Sequence, residues 1–197
     1  GRKPTKDVVS HLDRCLSCLA CTTTCPSGVD YMHLIDHGRK VIERDYQRPV
    51  FERAYRWFLA QVLPRPALFR WLLRLAPLGG VFRPLMPGPL KAAFALTPDH
   101  LPAPAQTDQP SVHRAETDQR RGRVALFPGC AQQVLEPEIN AATIRLLTRL
   151  GYDVEVVSAP CCGALTHHMG KSAQADATAP RTSDAVQAAD ARDGLDA

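Results

Sequence analysis

Four cysteines within residues 15–25 constrain this chain more than any other feature of its sequence. They are spaced C-x₂-C-x₂-C-x₃-C and are followed at once by Pro26, the pattern of the bacterial run that ligates [4Fe–4S] clusters. Structural zinc sites usually take two C-x₂-C pairs about 12 to 20 residues apart, so a zinc-bound interaction module is the weaker alternative. The spacing predicts an iron–sulfur cofactor, a [4Fe–4S] cluster, held by Cys15, Cys18, Cys21 and Cys25.

The fourth cysteine of such a run has a special position. In two-cluster ferredoxins it ligates the neighbouring cluster, whose other ligands lie in a second run. No cysteine precedes Cys15, so Cys25 lacks that partner run. We therefore expect either a piece of a longer protein, which the missing initiator methionine favours, or a single cluster with irregular ligation.

A second cysteine set follows two predicted strands. Cys130 comes after VALF, and Cys161, Cys162 and Gly163 come after DVEVV. The amphipathic helix between them, closed by Gly151, predicts a βαβ unit with parallel strands. Both turns then emerge at the carboxyl edge of the sheet, where α/β folds bind ligands. We expect all three thiols to converge there and bind metal, the alternative being that they pack as small hydrophobic residues.

The histidines add little to this metal-binding prediction. His167 and His168 follow closely in LTHHMG. A histidine pair can ligate metal, but a polar turn after a strand is the commoner explanation of these two residues. The other five histidines form no recognisable ligand pattern.

The predicted fold class is α+β with an α/β part. Composition divides the chain into five segments. They are a small helical ferredoxin-type [4Fe–4S] domain (1–46), a basic amphipathic helical region (47–96), a linker (97–122), a parallel βαβ unit (123–171) and a disordered tail (172–197). The linker is proline-rich and aperiodic, and the tail is alanine-rich and polar, so neither offers enough apolar surface to offset the entropy of ordering.

The helical region is strongly basic. From Arg48 to Lys91 it carries seven arginines and one lysine against a single acid, Glu52. Such amphipathic helices could lie on an anionic membrane face or dock an acidic partner subunit. The alternative is a helical layer packed on the cysteine domain, with the arginine heads reaching outward.

Composition excludes several classes of protein. A net charge of +4, with no helix-turn-helix or zinc-finger spacing, gives no reason to expect a nucleic-acid partner. No window resembles a membrane span or a secretory signal, and the seven cysteines are crowded rather than spread as in a disulfide framework. We expect a cytoplasmic protein without catalytic residues of its own, because no nucleophile triad, phosphate-binding loop or carboxylate pair is present.

The order of three motifs carries a family resemblance. CLSCLACTTTCPSGVDYMHLIDHGR, then FPGC, then APCCGALTHHMG resembles the glycolate oxidase (glycolate dehydrogenase) iron–sulfur subunit family. More broadly it is similar to the CCG-domain proteins, which include subunits for glycerol-3-phosphate, lactate and heterodisulfide. The resemblance covers about residues 7–172 and matches the second of two ferredoxin runs and the first of two CCG units.

The resemblance implies an electron-transfer subunit of an oxidoreductase. In that family separate flavin-containing subunits oxidise glycolate to glyoxylate, and iron–sulfur clusters pass the electrons towards a quinone-type acceptor at the membrane. It therefore implies flavin-containing partner subunits and a peripheral location on the inner membrane face. The related CCG subunits, or a truncated non-functional remnant, are the alternatives, because the family's first ferredoxin run and second CCG unit are absent from these 197 residues.

Overall fold

The structure is a computed structural model that describes residues 3–80, 84, 86–159 and 161–196, except the side chain of residue 193. Parts of the predicted segments at 1–2, 81–83, 85, 160 and 197 lie outside the described residues. The chain divides into two compact units, one of residues 1–60 and 162–180 and the other of residues 61–161 and 181–197.

The first unit is helical. Helix α1 (Lys6–Asp13) begins after Thr5, whose hydroxyl accepts the Val8 N–H. Helix α2 (Ala20–Thr24) is short, and α3 (Tyr31–Asp45) begins after Asp30, whose carboxylate accepts the N–H groups of Met32 and His33. These side-chain acceptors satisfy N–H groups that have no partner inside a helix. Helix α1 packs on α3, as do α2 and α9 (Ala164–His168).

The described residues of the basic region contain three helices. They are α4 (Val50–Val62), α5 (Pro66–Gly79) and α6 (Gly88–Ala95). Pro66 is the first residue of α5, a position where the missing N–H costs nothing. The boundary between the two units falls at residue 60, within α4.

The second unit contains the predicted parallel βαβ unit. Strand β2 (Gly122–Leu126) pairs in parallel with β3 (Tyr152–Val156), with Val124 beside Val154. Between them lie α7 (Gln132–Leu135) and α8 (Glu138–Arg149). Gly151 follows α8 with φ +93°, the left-handed conformation in which helices commonly end. Ile144 of α8 packs on Val154 and Val156 to form the core.

Part of the predicted linker belongs to the sheet. Strand β1 (Ser111–His113) pairs antiparallel with β3, giving the order β1-β3-β2. The prediction that residues 97–122 form an unstructured linker is therefore wrong for this segment. The reason is that three backbone residues can complete an open sheet edge through main-chain hydrogen bonds, whatever their hydrophobicity.

The tail is a second correction. Residues 172–197 were expected to be disordered, yet α10 spans Ser172–Asp193. Alanine, the strongest helix former, occupies eight of these 22 positions, and Ala175 and Ala189 are buried. Small side chains let the helix pack closely without large apolar residues. The boundary between the units falls at Pro180, inside α10.

The predicted α+β class is confirmed at the level of a helical chain with one small mixed sheet. The finer ferredoxin-type fold of residues 1–46 stays a prediction. None of the helices in the described ranges combines the length and hydropathy needed to cross a bilayer.

Candidate metal centre

The four cysteines of the first run lie around α2. Cys15 and Cys18 lie in the loop after α1, Cys21 is in the first turn of α2, and Cys25 ends that helix. The first three are exposed and Cys25 is partly exposed. Within the described residues, which include all seven cysteines, no disulfide joins any of them.

The loop between α1 and α2 has an uncommon backbone conformation. Ser17 and Leu19 have φ of +55° and +58°, the left-handed region that non-glycine residues rarely adopt. The turn also lets the Ser17 N–H donate to the Cys15 sulfur at 3.4 Å. Amide donors to thiolate sulfur are one means by which proteins tune iron–sulfur clusters.

Cys25 lies in a surrounding that favours its thiolate. Backbone N–H groups of Val29 and then Ser27 hold the pKa of the Cys25 thiol below its ordinary value, because they hydrogen-bond to the charged form. The Tyr31 hydroxyl lies 3.9 Å from the Cys25 sulfur. The same contact raises the pKa of Tyr31. A thiolate is the form of cysteine that ligates metal.

Arg39 of α3 holds the cysteine loop from inside the first unit. Its Nη1 donates to the Ser17 hydroxyl at 2.6 Å and its Nη2 to the Cys15 carbonyl at 2.5 Å. Sequence reasoning did not single out this residue. The available signal was its position, since Ile35, Arg39 and Ile42 follow i, i+4, i+7 spacing and place a charge on the helix face that packs inward.

The second cysteine set is brought together in part. The Sγ atoms of Cys130 and Cys161 lie 3.4 Å apart, at the carboxyl ends of β2 and β3. This confirms that the parallel strands deliver these two turns to one place. Cys162 begins the segment assigned to the first unit, so its convergence with the pair stays a prediction.

Gly163 has a structural role at the start of α9. In the structure it precedes α9 with φ +81°, and a Cβ there would lie 3.2 Å from the Cα atom of Ala175 in α10. Glycine is therefore required both by the left-handed conformation and by the close approach of α10.

His167 has a partner inside the first unit. Its Nε2 lies 3.0 Å from Oδ2 of Asp36 in α3. This contact joins α9 to α3 and gives the histidine a structural use. Metal ligation by His167 or His168 stays untested.

Three arginines of the basic region point inward rather than outward. Arg48 donates to Asp13 at 2.6 Å and is 8% exposed. Arg56 donates to the Met169 carbonyl at 2.8 Å, and Arg70 to the Gln133 carbonyl at 2.9 Å. Arg65 and Arg74 of the same region are exposed. These three therefore differ from the alternative in which the arginine heads reach outward.

The cysteine loop fits an anionic metal cluster by the chemistry of its surroundings. In the described part of the chain, no three Cys, His, Asp or Glu side chains are gathered closely enough to hold a single metal ion. The loop instead offers exposed thiols, N–H donors to sulfur at Cys15 and Cys25, and a buried guanidinium behind it. N–H donors to sulfur and a nearby positive charge suit a cluster whose ligands are thiolates.

Comparisons with known proteins match one domain of this chain and most of its length. The cysteine-rich domain family, CCG, matches residues 124–193. The glycolate oxidase iron-sulfur subunit of Escherichia coli (strain K12) is 42% identical over 186 residues, which cover 94% of this chain and 42% of that protein. The probable glycolate oxidase iron-sulfur subunit of Bacillus subtilis (strain 168) is 30% identical over 185 residues, covering 86% of this chain and 41% of that protein.

The chain thus spans about two fifths of the length of these curated relatives. No solved structure matches it. The resemblance drawn from the motifs is nevertheless confirmed, since the relatives align with nearly the whole of this chain. Residues 124–193 match the cysteine-rich CCG domain family, and the chain is similar along 94% of its length to a glycolate oxidase iron-sulfur subunit.

Proposed function

We propose that this chain is an electron-transfer part of a 2-hydroxy-acid oxidase of the glycolate oxidase type. The proposal rests on the presence of two features in one chain. The first is the C-x₂-C-x₂-C-x₃-C-P run, and the second is a CCG segment in which two thiols far apart in sequence lie 3.4 Å from each other. The names of the two relatives support it. When bound, iron–sulfur clusters supply one-electron transfer over a wide range of potentials.

The proposed cofactor is a [4Fe–4S] cluster held at the first run by Cys15, Cys18 and Cys21, with Cys25 ligating the next cluster. Cys130, Cys161 and Cys162 form a second metal-binding set. The chain itself performs no substrate chemistry. Its role is to bind clusters, to set their surroundings and to present them to partner subunits.

The proposed partners are flavin-containing subunits. A flavin subunit that oxidises glycolate to glyoxylate removes two electrons and two protons from the hydroxy acid, and this chain would carry the electrons onward one at a time towards a quinone-type acceptor. That acceptor implies a cytoplasmic chain lying peripherally on the inner face of a membrane.

Helix α5 supplies the surface that we propose for membrane contact. Leu68, Trp71, Leu75 and Leu78 are all exposed, and their i, i+3, i+7, i+10 spacing places them in one stripe on the helix. Arg74 is exposed on the same helix, and Arg65, which immediately precedes the helix, is exposed as well. No acidic residue occurs from Arg53 to Pro98. An apolar stripe with basic residues and no acid is suited to the surface of anionic lipid.

The test of cluster binding is anaerobic reconstitution with iron and sulfide. We expect broad visible absorption and, after reduction, a low-temperature paramagnetic resonance signal, both weakened in Cys18→Ser. A single tightly bound zinc ion with no visible absorption would instead establish the zinc module. Unchanged spectra in Cys18→Ser would refute the assignment to the first run.

The test of membrane contact is co-sedimentation with lipid vesicles. We expect binding to vesicles rich in phosphatidylglycerol, weakened by salt and by Trp71→Glu. Leu146→Glu is the matched control, because Leu146 is equally exposed, at 60% against 56%, but lies on α8. Equal binding by both variants, or none by the wild type, would contradict a lipid-facing α5.

A further inference from the structure

We propose that Arg39 is a positioning residue for the cysteine loop and the positive countercharge of the cluster bound there. This inference rests on the proposed function, because it assigns a role towards the proposed cluster. It adds a residue outside the cysteine motif, from a helix that supplies none of the thiols.

The guanidinium of Arg39 binds the loop at three acceptors. Nη1 donates to the Ser17 hydroxyl at 2.6 Å, and Nη2 donates to the carbonyl oxygens of Cys15 at 2.5 Å and Leu12 at 3.5 Å. One planar group thereby joins the end of α1 to the residues on either side of Leu16. The rigid fork of arginine can bind several acceptors at once, whereas a lysine ammonium is a single point of charge.

The loop needs such a restraint because its backbone is unfavourable. Ser17 and Leu19 both have positive φ, and residues held in this region persist only when surrounding contacts fix them. The Arg39 bonds act on Ser17 itself and on Cys15 two residues earlier. They therefore fix the conformation that sets the separation of the Cys15 and Cys18 thiols.

The charge of Arg39 is buried without a carboxylate. The residue is 7% exposed, and within the described ranges no acidic side chain pairs with it. Arg48, which is 8% exposed in the same unit, differs because it pairs with Asp13 at 2.6 Å. A buried cation without a counter-ion is costly. A cluster with thiolate ligands is anionic and would supply the missing negative charge.

The two roles have separate consequences. Loss of the fork loosens the loop and lowers the amount of cluster bound. Loss of the positive charge disfavours the more negative, reduced cluster, so its reduction potential falls. Arg39→Lys removes the first role and keeps the charge, Arg39→Met removes both, and Ser17→Ala removes one hydrogen bond while leaving Arg39 in place.

The experiment measures iron bound per chain and the reduction potential after anaerobic reconstitution, in the wild type and these variants. Lys40→Met is the matched control, because Lys40 is the next residue of α3 but is exposed. Hydrogen exchange of the loop amides in the metal-free chain provides a readout that needs no cluster.

We expect Arg39→Met to bind at most half the iron of the wild type and to shift the potential to a more negative value. Arg39→Lys and Ser17→Ala should lose iron with little shift in potential, and Lys40→Met should match the wild type. In the metal-free chain, Arg39→Met and Ser17→Ala should speed exchange of the amides of residues 15–19 at least tenfold.

Three results would count against the inference. If Arg39→Met binds as much iron as the wild type and has the same reduction potential, the countercharge role of Arg39 is refuted, although the cluster exists. If the wild type binds no iron, the proposed function and the countercharge role fail together. The exchange measurement still decides whether Arg39 positions the loop, and unchanged exchange in both Arg39→Met and Ser17→Ala would refute that role as well.

Discussion

The Sγ atoms of Cys130 and Cys161 lie 3.4 Å apart although 31 positions separate the two residues in sequence. The pairing of β2 with β3 is parallel, with Leu126 beside Val156, so both strands end at the same edge. The connection through α7 and α8 folds the intervening residues back over the sheet. The result is a pair of neighbouring thiols at one edge of the sheet.

This proximity predicts a selective cross-link. A mild thiol oxidant such as diamide should join Cys130 to Cys161 in the metal-free chain, because the sulfur atoms need to move only about 1.4 Å to reach bonding distance. Mass spectrometry of peptides from a variant that keeps only these two cysteines is the measurement. A variant that keeps Cys18 and Cys130 is the control, and equal cross-linking in both would contradict the observed pairing.

The buried charge pair between neighbouring strands should be important for stability. Arg123 of β2 pairs with Glu155 of β3, and both side chains are almost fully buried. Removing one partner of a buried ion pair typically costs about 3 to 5 kcal/mol. We expect Glu155→Gln to lower the free energy of unfolding by about 3 kcal/mol in urea titrations.

The control for that substitution is Glu138→Gln. Glu138 is 80% exposed and lies 3.9 Å from Arg145, and surface changes of this kind usually alter stability by less than about 0.5 kcal/mol. Similar losses for the two variants would show that burial of the Arg123–Glu155 pair is not what matters.

Asp153 should make the free energy of unfolding depend on pH in the acid range. The Ala115 N–H and then the Arg114 guanidinium hold the pKa of the Asp153 carboxyl below its ordinary value. The stability that ionised Asp153 contributes is therefore fully present above its pKa in the unfolded chain, which is about 4. This contribution is lost as the pH falls below that value and through the lower pKa of Asp153 in the folded chain.

The measurement is urea unfolding of wild type and Asp153→Asn between pH 7 and pH 2. The variant should be less stable at neutral pH, because the amide loses the ionic contact with Arg114. The gap should narrow below about pH 4. A gap that stays constant over the whole range would argue against the depressed pKa.

Gly170 should tolerate no side chain. It has φ +78°, and a Cβ there would lie 2.4 Å from the Arg39 carbonyl oxygen. We expect Gly170→Ala to cost about 3 kcal/mol or more, combining left-handed strain with a clash against backbone. Gly194→Ala is the control, since Gly194 has φ +70° but open space around it. The left-handed conformation alone should make Gly194→Ala lower the free energy of unfolding by about 1 kcal/mol. Equal losses for the two variants would exclude a clash at Gly170.

The sequence by itself determined the features that are encoded locally. The spacing from Cys15 to Cys25 identified the first cysteine run. The alternation of strand and helix patterns, ended by Gly151, predicted the parallel β2–β3 pair and hence the meeting of Cys130 and Cys161. These signals lie within a few residues of what they specify.

Only the tertiary structure decided the features that depend on distant partners. Ser111–His113 is a strand because it pairs with the open edge of β3, some 40 residues later. The three residues themselves carry no signal that predicts this pairing. Helix α10 forms in a weakly hydrophobic segment that is rich in alanine, the strongest helix former, and its buried residues include the small Ala175 and Ala189. Arg39 became part of the candidate site because the packing of α1 on α3 carries its guanidinium to the Cys15 carbonyl, 24 residues away in sequence.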